Sequence, residues 1–129
     1  MTTREARGNA ATAVCGGCPR HCRLAQGERG ACAARWNVGG RVVPVAWDRI
    51  CALGVDPIEK KPLYHVVPGA PVLSVACAGC TLHCRHCQNA EISQQGPDAV
   101  PGRSLPPEAL AEELRRSGCR WVAYTYTEP

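Results

Sequence analysis

The chain contains no phenylalanine, one methionine and no run of eighteen apolar residues among its 129 positions. Without such a run there is no candidate for a membrane-spanning helix, which takes about 20 consecutive apolar residues. The start, Met1-Thr2-Thr3-Arg4-Glu5-Ala6-Arg7-Gly8, leads into no apolar core of a secretory signal, so nothing in it points to export. Charge is not concentrated either. The net charge is +4, and Arg4, Arg7, Arg20, Arg23, Arg29, Arg35, Arg85, Arg103, Arg115 and Arg116 are spread along the chain. Nucleic-acid recognition calls for basic residues clustered on one face beside stacking aromatics. Here the few Trp and Tyr residues lie far from the basic ones, apart from Trp36 and Trp121. A solvated surface is the reading, with no nucleic acid and no membrane among the partners.

Cysteine is what the chain has in excess, ten in all. In a chain this short that means either a secreted disulfide framework or an intracellular metal protein. Seven of the ten fall into two close-spaced groups and no signal precedes them, which favours metal, reduced thiols and a cytoplasmic location.

Residues 1–13 are small and polar and read as a disordered tail. Residues 14–70 read as a Cys-rich metal-binding region, with strands over 31–37 and 41–47 joined at Gly39-Gly40, whose freedom at positive φ suits a tight hairpin turn. The run Asp56-Pro57-Ile58-Glu59-Lys60-Lys61-Pro62-Leu63-Tyr64-His65 shows no clear period and reads as an ordered connector with a solvated charge run. From residue 71 the order is a doubly buried strand over 71–78, a cysteine loop, a helix over 106–117 closed by Gly118, and a strand over 120–125. That order predicts a parallel βαβ unit. The chain ends at Thr127-Glu128-Pro129 with no helix to cover the second strand, so residues 71–129 read as a core cut short, poorly active in isolation.

The first group, Cys15-Gly16-Gly17-Cys18-Pro19-Arg20-His21-Cys22 with Cys32, offers four thiols, enough for a closed zinc site or a fully ligated 4Fe–4S cluster. Those two metals are left open. Cys51, Cys77 and Cys119 have no partner spacing and read as small buried hydrophobes.

The second group, Cys80, Cys84 and Cys87, has gaps of three and then two residues. Three thiolates on one loop can hold three irons of a cubane and leave the fourth iron open. A zinc site completed by His83 or Cys77 is the alternative; a bacterial ferredoxin has other spacings and a proline where Gln88 stands. Reactive groups of parallel α/β sheets gather at the C-terminal ends of strands. Cys80 follows the first strand there, and Glu128 follows the second.

The cysteine spacing at a strand end resembles the radical S-adenosylmethionine (SAM) enzymes. With Asp56 to His65, Cys87-Gln88-Asn89 and Tyr124-Thr125-Tyr126-Thr127-Glu128-Pro129, the chain looks like the radical SAM member of the AmmeMemoRadiSam system, related to pyruvate formate-lyase activating enzymes. The likeness covers about residues 15–129. It implies an α/β fold, the first βα units of a partial radical SAM (β/α) barrel, preceded by the small Cys-rich metal-binding β region. It also implies a 4Fe–4S cluster on Cys80, Cys84 and Cys87, whose open iron chelates SAM. Thr127 and Glu128 stand where related enzymes carry a Gly-Gly-Glu segment that holds the SAM amino group; Tyr126-Thr127 replaces the two glycines. His86 stands where an aromatic often flanks the SAM adenine. The implied activity is reductive cleavage of SAM to a 5′-deoxyadenosyl radical that abstracts hydrogen from a protein or small-molecule substrate, with a flavodoxin or ferredoxin-like electron donor. The alternatives are a glycyl-radical-enzyme activating enzyme proper, or a non-catalytic iron–sulfur or zinc-binding module.

Overall fold

The computed structural model describes residues 11–127. Its first part is made of short antiparallel pairs. Strand β1 (Ala13–Val14) pairs with β2 (Arg23–Leu24), and β3 (Arg35–Val38) pairs with β4 (Arg41–Pro44). The hairpin expected at Gly39-Gly40 forms, with φ of 62° and 81° at the two glycines, the left-handed geometry that a two-residue turn demands. The strands are shorter than 31–37 and 41–47, because residues 31–34 turn and Pro44 removes a ladder donor.

Strands this short cannot bury much, and a polar side chain ties them instead. Asn37 is fully buried; its amide donates to Leu24 O (2.8 Å) and Ala11 O (2.7 Å) and its side-chain oxygen accepts from Gly40 N (2.9 Å). Each such bond contributes about 1 kcal/mol net, and leaving its partners unpaired costs more. Residues 1–10 of the expected tail lie outside the described residues; Ala11 and Ala13 are part of this arrangement.

The second part is a four-stranded sheet, built from β5 (Arg49–Pro57), β6 (Pro71–Cys77), β7 (Arg103–Ser104) and β8 (Trp121–Tyr124) in the order β7-β5-β6-β8. A 3-10 turn, Ile58–Lys60, follows β5, and two α-helices, α1 (Ala90–Ser93) and α2 (Pro107–Ser117), lie between β6 and β8. Strand β6 is buried on both faces, as its unbroken apolar run requires. Leu73 and Val75 pack with Ile50, Leu105, Leu110 and Cys119 under α2, while Val72 packs with Ile58 and Ala70 on the other face. Full burial of each aliphatic side chain stabilises by about 1.5–3 kcal/mol. Helix α2 begins at a proline, carries Glu108 in its first turn and Arg115 and Arg116 in its last, and stops at Gly118, whose φ of 71° gives a left-handed cap.

Strands β6 and β8 are parallel, so the βαβ unit is present. The wider α/β reading is corrected. The described residues are about 15 % helical and 30 % strand, mostly in small sheets, with two α-helices of which α1 is a single turn. In a (β/α) barrel the strands pair only in parallel. Instead β5, most of which falls where no element was expected and whose last two residues fall in the expected connector, lies antiparallel along the second edge of β6 from Ile50↔Cys77 to Pro57↔Pro71, and β7 continues the antiparallel pairing. The fold is therefore a mixed, mainly antiparallel sheet joined to small hairpins. No helix among the described residues is long and apolar enough to cross a membrane.

Candidate functional site

Strand β6 delivers the second cysteine group. After Cys77 the chain turns at Gly79, whose φ is +92°; a Cβ there would lie 2.5 Å from Cys32 O and 2.9 Å from the Ala34 Cβ. Only glycine fits this contact between the two cysteine-bearing segments. Residues 78–89 then run without regular structure, with Gly79 N bonded to Ile92 O (2.8 Å) at one end and Gln94 Nε2 donating to Leu82 O (3.2 Å). Cys80 and Cys87 are half-buried and Cys84 is exposed. Cys87 N donates to Cys84 O (3.3 Å), and the Cys87 sulfur lies 3.3 Å from Ser93 Oγ.

The first group is held more firmly. Cys15 N donates to Cys22 O (2.9 Å) and His21 N to Cys18 O (3.2 Å), which folds residues 15–22 back on themselves. Cys15 and Cys32 are buried. A Cβ on Gly30 would fall 3.7 Å from the Cys32 sulfur and 4.0 Å from the Cys22 sulfur, so glycine leaves a small cradle between the two thiols. Among the described residues no three His, Cys, Asp or Glu side chains converge as a ready-made metal site, and all ten cysteines are free thiols. At Gly30 the Cys22 and Cys32 sulfurs flank the space that a Cβ would fill. In number and type, the four thiols of the first group match a closed zinc or 4Fe–4S site, and the three of the second match a cluster with one open iron.

The two groups meet. Arg20 Nε donates to Thr81 O (3.3 Å), His83 Nε2 lies 3.3 Å from Ala31 O, and Arg29 forms a two-pronged ion pair with Asp98 (2.7 and 2.6 Å) just beyond α1. Between them opens a cavity of about 410 Å³ at the C-terminal ends of β6 and β8. Cys32, Cys77, Cys80, Trp47, Tyr124 and Thr127 are among its lining residues. Its size falls within the range of small-molecule sites. Thr127 Oγ1 donates to Cys77 O (2.9 Å), continuing the line of β8 along the cavity wall.

Cys80 and Thr127 are thus brought to one cavity, whereas Cys84 and Cys87 do not line it. His86 is exposed, and Glu128 lies outside the described residues. Of the three unassigned cysteines only Cys119 is the buried hydrophobe expected; Cys51 and Cys77 are half-buried neighbours where a bulge at Ile50/Ala52 interrupts the β5–β6 ladder. Burial pushes both thiols up, and for Cys77 the nearby Cys51 and Asp48 add to the shift. Sequence reasoning also missed Asp56, taken for part of a surface run. It is buried at the end of β5, where it accepts hydrogen bonds from Ser74 Oγ (2.7 Å), Lys61 Nζ (2.9 Å), Lys60 Nζ (3.0 Å) and the Tyr126 hydroxyl. The available signal was its place at the end of the apolar run from Ile50 to Val55.

The chain is 48 % identical over 112 residues to an uncharacterized protein of Methanocaldococcus jannaschii, MJ0808, a match covering 87 % of this chain and 34 % of that protein. It therefore spans about a third of the length of the curated relative it matches. No family model matches the chain, and no solved structure does.

Proposed function

We propose that this chain carries the cofactor-binding part of a radical SAM enzyme of the AmmeMemoRadiSam group, with Cys80, Cys84 and Cys87 holding a 4Fe–4S cluster. The observation that carries the reading is the three-then-two cysteine loop leaving β6 at the rim of a cavity that Cys80 and Thr127 both line. It rests on that site and does not require a barrel. When bound, a reduced 4Fe–4S cluster with one open iron would supply the chemistry of reductive SAM cleavage and hydrogen abstraction from a substrate.

The chain's own residues bind, orient and shield. Cys80 lines the cavity, and Cys84 and Cys87 on the same loop would complete the ligand set of the cluster. The largely apolar lining, with the exposed rings of Trp47 and Tyr124 beside it, suits a planar ring. Thr127 and Glu128 offer polar contacts for the SAM amino group. Cys15, Cys18, Cys22 and Cys32 hold zinc or an auxiliary cluster beside the loop. An electron comes from a flavodoxin or ferredoxin-like donor.

Anaerobic reconstitution with iron and sulfide tests the reading. The reduced-cluster paramagnetic resonance spectrum is expected to shift when SAM is added, and that shift to vanish in Cys84→Ala. A cluster indifferent to SAM would instead identify an electron carrier, and zinc retained by both cysteine groups a non-catalytic module.

A further inference from the structure

Asp56 lies at the junction of three segments, outside the cavity. Ser74 comes from the centre of β6, Lys60 and Lys61 from the turn after β5, and Tyr126 from the chain just beyond β8. The carboxylate does not line the cavity, yet Tyr126, which it holds, directly precedes Thr127, which does. Tyr126 has φ of +67°, the left-handed region that residues with a side chain rarely adopt. This turn of the backbone brings the Thr127 hydroxyl onto Cys77 O (2.9 Å). Lys61, itself nearly buried, lies 4.9 Å from the centre of the Tyr126 ring and closes the anchor from the other side. An outlying backbone conformation persists only where its surroundings over-determine it, and such positions gather at ligand sites.

We propose that Asp56 is a positioning residue for SAM: by anchoring the Tyr126 hydroxyl it fixes Thr127 on the cavity wall, on the SAM side of Cys80. This rests on the SAM reading given above and adds to it the residue that sets affinity from outside the cavity. Hydrogen bonds from Tyr126, Ser74, Lys61 and Lys60 hold the Asp56 carboxyl far below the usual carboxylate range, so the anchor stays charged at neutral pH. A neutral side chain in its place keeps the shape but weakens the grip on the tyrosine.

The test compares wild type, Asp56→Asn, Tyr126→Phe and a surface control, Glu112→Gln, each as the full chain loaded anaerobically with iron and sulfide. SAM binding is measured by calorimetry, iron by assay, and folding by thermal unfolding. Asp56→Asn and Tyr126→Phe are expected to bind SAM about tenfold more weakly, the scale of one lost charge-assisted hydrogen bond, with iron content and the control unchanged. A purely structural role would lower the unfolding temperature and leave the SAM affinity of the folded, iron-loaded protein intact, and that result overturns the proposal. Tyr126→Phe keeps the ring over Lys61 and decides the matter if Asp56→Asn does not fold. Wild-type chain that takes up iron but binds no SAM overturns the SAM reading itself, and this proposal with it.

Discussion

The four cysteines between residues 15 and 32 and the three between 80 and 87 are held in different ways. The first group is set between paired strands: Cys15 and Cys22 begin and end the turn from β1 to β2, Cys15 and Cys32 are buried, and Asn37 ties β3 to Leu24 of β2 and to Ala11. The second group hangs on an irregular loop, with Cys84 exposed and the backbone fixed mainly at Gly79 and near α1. A metal in the first group would complete a framework of short strands that bury little without it. A metal in the second would order a loop on a sheet that is already packed. One arrangement suits stability, and the other suits a cofactor that must stay open to a ligand.

Metal ligands give the sharpest test of that contrast. Cys22→Ser is expected to release the metal of the first group and to unfold the small hairpins, since metal binding and folding are one equilibrium in such regions. Cys84→Ser is expected to lose iron while shifting stability by less than about 1 kcal/mol, as for other exposed substitutions. Denaturant unfolding and metal content measured on both variants check this. Equal losses of stability would break the comparison.

Gly79→Ala strikes where the two regions touch. The added methyl meets the Cys32 carbonyl at 2.5 Å, and alanine must also hold φ near +92°. Left-handed strain and overpacking together are expected to cost about 3 kcal/mol. The midpoint of denaturant unfolding measures the loss, and faster labelling of Cys80, Cys84 and Cys87 by a thiol reagent would show the loop coming free. Asn37→Ala comes next, at about 2 kcal/mol for three side-chain hydrogen bonds partly replaced by water. Hydrogen exchange is expected to accelerate in β1 to β4 and to stay unchanged in β6.

What could be read from the sequence follows the strength of the local signal. The Gly39-Gly40 turn, the apolar run of β6, the capped α2 and the parallel β6–β8 pair all announce themselves by composition and order. Strand β5 does not. Its alternation is broken by the bulge next to Ile50 and diluted by Gly54, and its penultimate residue, Asp56, is a buried charge. The barrel came with the family resemblance, which left no place for this strand, and the sheet is mixed and mainly antiparallel instead. The same strand hid Asp56, because a carboxylate among lysines resembles surface until Ser74 and Tyr126 are seen to face it. The cysteine spacing was plain, whereas the cavity walls at Trp47 and Tyr124 come from elements far apart in sequence.

The smallest expected effect concerns the ion pair that links the two regions at their edge. Arg29 lies between β2 and β3 with its guanidinium 4.4 Å from the Trp36 ring centre, and Asp98 follows α1. The Arg29 hydrogen bonds pull the Asp98 carboxyl below its ordinary 3.8, against some desolvation. A depressed carboxylate favours the folded state above its unfolded value, and that contribution disappears as the pH falls through the lower folded value. Wild type should therefore lose its advantage over Asp98→Asn as the pH is lowered from neutrality to below 3.8. Both groups are largely exposed, so the difference should be small and should shrink in high salt. Denaturant midpoints of the two proteins across that pH range measure it. A gap that persists in acid and in salt would mean that Asp98 joins the regions by packing rather than by charge.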